Sequence, residues 1–125
     1  MNTPAQLKYT KTDEWFDSAS GGMGLTDYAQ SQLSDIVFIE ILVDVGDQVE
    51  AGKPIASVES VKASAEIFAA ANGKVTAVNR GLSDKPETLN SDPYGEGWMV
   101  KVENGTVGES MDSAAYVKYC EERTH

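Results

Sequence analysis

The chain has 125 residues, with 20 acidic against 10 basic side chains and a net charge of -10 at pH 7. That length suffices for one domain whose core needs no disulfide or metal, while the charge repels phosphate backbones and anionic lipid, which argues against nucleic acid and membrane surfaces as partners. A single cysteine, Cys120, excludes an internal disulfide and fits a reducing compartment, and the only histidine is His125 in the polar tail, so the interior offers no Ser-His or Cys-His catalytic pair and no His/Cys metal site.

Leu7-Lys8-Tyr9 through Glu14-Trp15-Phe16 reads as an opening strand or pair of strands, broken by the glycines and serines of Asp17 to Gly22. Thr26 followed by Asp27 marks a helix start, with Thr26 as N-cap and the acid favoured by the helix dipole, so a short helix is expected to Leu33. Ile36 to Val43 is nearly all apolar and rich in β-branched residues, which predicts a strand buried on both faces at the centre of the core. Val45-Gly46-Asp47 and Ala51-Gly52-Lys53 supply turns, Ile55 to Val61 and Glu66 to Ala70 read as two arms around Lys62, and Ala71-Asn72-Gly73 suggests a further turn before a strand over Val75 to Val78.

Ser83 to Asn90 predicts one or two helical turns with Ser83 capping and Pro86 in the first turn. Trp98 to Val102 predicts a last strand with Trp98, Val100 and Val102 on one face. From Asp112 or Ser113 to Glu122, Ala115, Tyr116, Tyr119 and Cys120 share one face of an amphipathic helix, which should pack on the sandwich edge with Cys120 as a buried structural thiol. The expected fold is mainly β, a sandwich or flattened barrel with short helices and a C-terminal helix. It forms a single domain over 1–125, with a core over about 7–103 and the helix over about 112–122. No run approaches the roughly 20 apolar residues of a membrane span, and the first residues lack a signal or transit pattern, so a soluble, untargeted chain is expected.

Lys62 lies in Glu59-Ser60-Val61-Lys62-Ala63-Ser64, where two predicted strands meet at a tip. Most exposed lysines are merely solvated, but one displayed between small residues on rigid arms suits an attachment handle. A modifying enzyme can reach its amine, and the finished arm can enter other active sites. The primary amine forms a stable amide with a carboxylic-acid cofactor, and the carried group then does the chemistry.

This arrangement resembles the lipoyl/biotinyl carrier fold, and the chain is similar to the H-protein family of the glycine cleavage system from about Leu7 to Cys120. The resemblance rests on Leu7-Lys8-Tyr9, Glu14-Trp15, Gly24 to Gln30, Asp35 to Phe38, Glu59 to Ala63, Ala77-Val78-Asn79, Leu89 to Tyr94 and Gly97-Trp98-Met99. It implies lipoate attached covalently to Lys62, with Glu59, Ser60, Val61 and Ala63 as the segment a lipoate-attaching enzyme recognises. It also implies a cleft in which Glu14 and Glu66, with Thr12, receive the loaded arm. As partners it implies a pyridoxal-phosphate glycine decarboxylase, a tetrahydrofolate-dependent aminomethyltransferase and a flavin-dependent dihydrolipoyl dehydrogenase. The protein would then be a monomeric carrier with no catalytic residue and no metal, cytoplasmic in a bacterium or in the mitochondrial matrix of a eukaryote.

Asp13 stands where the family often has histidine, Gln32 where some members have histidine, and Glu66 where many have aspartate; the segment between Trp15 and Gly24 is short and polar. Rival readings are a lipoyl-relay protein, a lipoyl domain of a 2-oxoacid dehydrogenase, and an unmodified interaction module. A biotin carrier is disfavoured because Val61 and Ala63 flank the lysine where biotinyl domains typically have methionines.

Overall fold

The opening pair forms as two short antiparallel strands in the computed structural model, which describes residues 1–123; His125 lies outside the described residues. Strand β1 (Lys8–Tyr9) places Tyr9 opposite Trp15 of β2 (Glu14–Phe16). The connecting turn is closed by the Asp13 amide donating to the Thr10 carbonyl at 3.1 Å. Asp13 takes a φ of 75° there, a conformation that Asp tolerates better than most residues. The Asp17 to Gly22 turn then leads into β3 (Gly22–Leu25), with Glu14 opposite Leu25, so the short polar segment still closes a regular hairpin. Gly21 has a φ of 78°, and a Cβ at that position would lie 2.1 Å from the Val102 carbonyl oxygen, so only glycine fits.

Thr26 caps α1 (Asp27–Leu33) as its sequence indicates: it is extended, and its hydroxyl accepts from the Ala29 amide at 3.2 Å. The chain continues through β4 (Ile36–Ile41), β5 (Gln48–Val49), β6 (Pro54–Ser60), β7 (Ser64–Phe68) and β8 (Ala71–Val78). Two single-turn helices follow, α2 (Gly81–Asp84) and α3 (Thr88–Ser91), then β9 (Val100–Val107) and α4 (Ser113–Arg123). All strand pairs are antiparallel. They make a six-stranded sheet ordered β1-β2-β3-β9-β8-β5 and a three-stranded sheet ordered β4-β6-β7, two open sheets not closed into a barrel.

One apolar cluster joins the sheets, drawing Met23, Val75 and Val100 from the larger, Ile39, Val58 and Ile67 from the smaller, and Ala29, Leu82 and Leu89 from the helices. A second cluster, Leu7, Tyr9, Trp15, Tyr116 and Cys120, seats α4 on the β1 edge, with the Tyr9 and Tyr116 rings stacked at 4.7 Å. The amphipathic pattern of α4 therefore predicts its docking edge correctly, although Ala115 is exposed.

Four local expectations are corrected. Ile36 to Val43 is not a strand buried on both faces: it ends at Ile41 and runs along the edge of the small sheet, with Ile36, Ile39 and Ile41 buried but Val37 and Phe38 54% and 47% exposed. The cause is a register shift between Ile36 and Phe38, a bulge that turns two apolar side chains outward together. Asn72-Gly73 is not a turn but the bulged interior of β8, where Gly73 packs so closely that a Cβ would lie 2.8 Å from Val102 Cβ.

Ser83 does not cap a helix. It lies inside α2 and its hydroxyl donates to the Ile39 carbonyl at 2.9 Å, while Pro86 precedes Glu87, the residue that caps α3. Trp98 precedes β9 rather than belonging to it; Val100 and Val102 are buried as expected, whereas Trp98 is half-buried under the Lys101 ammonium, 4.8 Å from its ring.

Candidate functional site

The β6–β7 hairpin ends in a four-residue turn, Ser60 to Ala63, organised by one side chain. Ser60 Oγ accepts from the Lys62 amide at 3.1 Å and the Ala63 amide at 3.0 Å, and the Ser60 amide donates to the Ala63 carbonyl at 2.8 Å. A further bond from the Val61 amide to the Asp35 carbonyl, 3.0 Å, ties the tip to the α1–β4 linker. The backbone of Lys62 is thus held while its side chain is exposed, its ammonium donating to the Gln32 carbonyl at 3.3 Å. Glu59, Val61 and Ala63 are also exposed. Sequence reasoning valued Ser60 for its small size and missed its hydrogen-bonding role, which a serine opening a tight turn signals.

Glu14, by contrast, is buried, with 1% of its surface exposed. Its Oε1 accepts from the hydroxyls of Thr10 at 2.7 Å and Thr12 at 2.6 Å, and its Oε2 from the Phe68 amide at 3.4 Å. Burial raises its pKa to about 7, more than those three bonds lower it, and the neighbouring Asp13 charge adds slightly to the rise. Glu14 therefore sits at the border between a neutral acid and a carboxylate at physiological pH.

Two cavities meet at Thr12. One, of about 230 Å³, reaches Glu14 and is bounded on its far side by Ala51, Gly52 and Gly108. The other, of about 200 Å³, runs between Gln32 and Leu33 of α1 and Ala65, Glu66 and Ile67 of β7. Glu14 and Glu66 thus line neighbouring cavities rather than one shared wall, with Thr12 common to both. Lys62 reaches the second cavity only through Gln32, a lining residue whose carbonyl accepts from its ammonium.

The C-terminal helix braces this region. Asp13, beside Thr12 and Glu14, accepts from Tyr116 Oη at 2.8 Å and from Arg123 at 2.6 and 3.2 Å, and the Tyr116 hydroxyl also meets the Thr26 hydroxyl at 2.7 Å. Arg123 in turn lies over the Tyr28 and Tyr119 rings at 4.6 and 4.1 Å. Asp13 thereby receives partners 103 and 110 residues away in sequence, contacts that no local pattern signalled. Cys120 is buried in the same cluster, accepting from Arg123 at 3.6 Å.

The Glu14 environment makes stability pH-dependent with a definite sign. A carboxyl whose folded pKa is raised, from 4.5 to about 7, binds its proton more tightly when folded. Its contribution is fully present below about pH 4.5 and is lost as pH rises through about 7, a swing of roughly 3 kcal/mol. Glu14→Gln, which keeps the shape without the titration, should flatten this component. Urea denaturation of both proteins between pH 4.5 and 8 checks it, and parallel curves would show that Glu14 titrates normally.

Among the described residues no group of three or more His, Cys, Asp or Glu side chains could hold a metal, and no helix is long and apolar enough to cross a membrane. Residues 7–123 match the family model described as glycine cleavage H-protein. The glycine cleavage system H protein of Anaeromyxobacter sp. (strain K) is 46% identical over 128 residues, covering 98% of this chain and 99% of that protein. That of Deinococcus deserti is 48% identical over 117 residues, covering 93% and 96%. The crystal structure of a glycine cleavage system H protein from Mycobacterium marinum superposes with a TM-score of 0.83 at 32% identity, covering 98% of this chain and 99% of that one.

Proposed function

The chain belongs to the glycine cleavage H-protein family, and on that footing we propose that lipoate is joined to it through an amide with the Lys62 side-chain nitrogen. The protein is the lipoylated carrier of the glycine cleavage system and works with the other components of that system. The observation that carries the assignment to Lys62 is its display at the β6–β7 tip: the backbone is fixed by Ser60, and the side chain is exposed with its amine beside the Gln32 carbonyl. The lipoyl dithiolane supplies the chemistry, taking up the aminomethyl group of glycine from a pyridoxal-phosphate decarboxylase, yielding it to a tetrahydrofolate-dependent aminomethyltransferase, and being reoxidised by a flavin-dependent dihydrolipoyl dehydrogenase.

The residues of this chain attach, orient and shelter; none is assigned a catalytic step. Glu59, Ser60, Val61 and Ala63 present the lysine to a lipoate-attaching enzyme. The carbon skeleton of the arm suits the cavity lined by Ala29, Leu33, Ala65 and Ile67, while Thr12, Glu66 and Glu14 offer polar groups to a cationic amine. A carboxylate facing a cation in a partly dry cleft is worth more than an exposed pair, which contributes under about 1 kcal/mol.

Intact mass before and after treatment with a lipoylating system, followed by peptide mapping, tests the attachment: one lipoyl increment on Lys62 is expected, and an increment on Lys53 or Lys74 would refute it. The cleft is tested separately by timing spontaneous loss of the aminomethyl cargo. Glu14→Ala and Glu66→Ala should each shorten its lifetime, on the order of tenfold for the buried Glu14, equivalent to about 1.4 kcal/mol. Equal lifetimes in all three proteins would remove the cleft from the reading.

A further inference from the structure

We propose that the bulged edge of the small sheet beside the lysine is a docking surface for a partner protein whose contact face is apolar at its centre and basic at its rim. This rests on the carrier reading above. The bulge places Val37 and Phe38 in solvent on the strand next to the tip, and Val61 within the tip is 65% exposed. Ile36 lies opposite Ser60, and the Val61 amide bonds to Asp35, so these three apolar side chains collect at the end of the sheet that carries Lys62. Bulges re-aim side chains next to functional sites, and clustered rather than scattered apolar exposure marks an interaction surface.

The rows of the same outward sheet face set the chemistry of the occupant. Phe38, Glu59 and Ser64 lie opposite one another across the three strands, as do Glu40, Ser57 and Glu66. Three exposed glutamates thus border the apolar group, and neither row contains a basic residue. A basic rim on the partner complements them and speeds encounter, whereas the apolar centre supplies most of the binding energy. A second copy of this chain is a poor occupant, because its net charge is -10 and glutamates would face glutamates.

Strand addition is a poor mode too, since the β4 backbone is occupied by side chains. Ser83 Oγ donates to the Ile39 carbonyl at 2.9 Å, Arg80 Nη1 to the Ile41 carbonyl at 3.3 Å, and Asn90 Oδ1 accepts from the Ile36 amide at 2.9 Å. Recognition therefore falls to the outward side chains. An arm entering another active site carries this face toward that protein, so the surface lies where docking and delivery coincide.

The test is calorimetric titration of the full chain, with and without lipoate, into a purified glycine decarboxylase at two salt concentrations. The doubly substituted Val37→Ser, Phe38→Ser chain should bind on the order of tenfold more weakly with or without lipoate. Glu40→Lys should weaken binding several-fold and flatten its salt dependence, while Glu103→Lys, an exposed substitution on β9, should behave as wild type. All four positions are exposed, so folding should persist, and circular dichroism verifies it. Wild-type affinity in both the apolar and Glu40 variants, an equal loss in Glu103→Lys, or self-association of the chain through this face would overturn the proposal. If wild type accepts lipoate on Lys62 and the variants bind normally, the docking surface alone fails; if wild type accepts no lipoate and binds no decarboxylase, the carrier reading fails.

Discussion

Lys62→Arg should give a folded protein that carries nothing. The side chain is exposed and its single hydrogen bond goes to the Gln32 carbonyl, so its replacement should change stability by no more than about 0.5 kcal/mol. Guanidinium cannot form the required amide, and carriage should fall to background rather than merely decline. The measurement is paired: a denaturation midpoint and an intact mass after exposure to a lipoylating system. Residual lipoylation of Lys62→Arg would place the handle elsewhere. A midpoint far below wild type would mean that the tip is structural, contrary to its exposure.

Ile39→Ala should be among the most damaging single truncations in the small sheet, costing about 2–5 kcal/mol through lost burial and the cavity left behind. Ile39 is 1% exposed and belongs to the cluster shared by both sheets. Phe38→Ala, one residue away and larger in volume removed, should cost under about 1 kcal/mol, since Phe38 is 47% exposed and already meets water. Urea denaturation of the two variants side by side decides this. Comparable destabilisation would mean that the bulge is absent in solution and that Phe38 points inward, which would also remove the apolar centre of the proposed docking surface.

The contrast between these neighbours shows where sequence reasoning stops. A nearly all-apolar run such as Ile36 to Val43 reads as doubly buried because closely spaced β-branched residues usually lie in a strand covered on both sides. The run does not reveal that β4 is the outer strand of three, nor that a bulge turns Val37 and Phe38 the same way. Both facts depend on pairing with β6, and pairing partners are chosen by the whole fold. The Asn72-Gly73 segment failed for a related reason: it carries turn residues, but the close approach of Val102 requires a glycine inside β8.

By itself the sequence indicated the class and the exposed position of Lys62. Short β-rich segments with regular turn residues pointed to an antiparallel β fold, Thr26 announced α1, the spacing of Tyr116 and Cys120 announced α4, and Lys62 between small residues marked the tip. Each is a local signal, carried by capping, periodicity or turn chemistry over fewer than about a dozen residues. Only the tertiary structure decided what surrounds the region near Lys62. It buried Glu14 among Thr10, Thr12 and the Phe68 amide, which raises its pKa to about 7, and it separated Glu14 from Glu66 by placing them on adjoining cavities. It also brought Arg123 and Tyr116 to Asp13. Desolvation and long-range hydrogen bonding depend on which distant segments pack together: Thr10 and Thr12 are local to Glu14, but Phe68 is 54 residues away and Tyr116 lies 103 residues from Asp13.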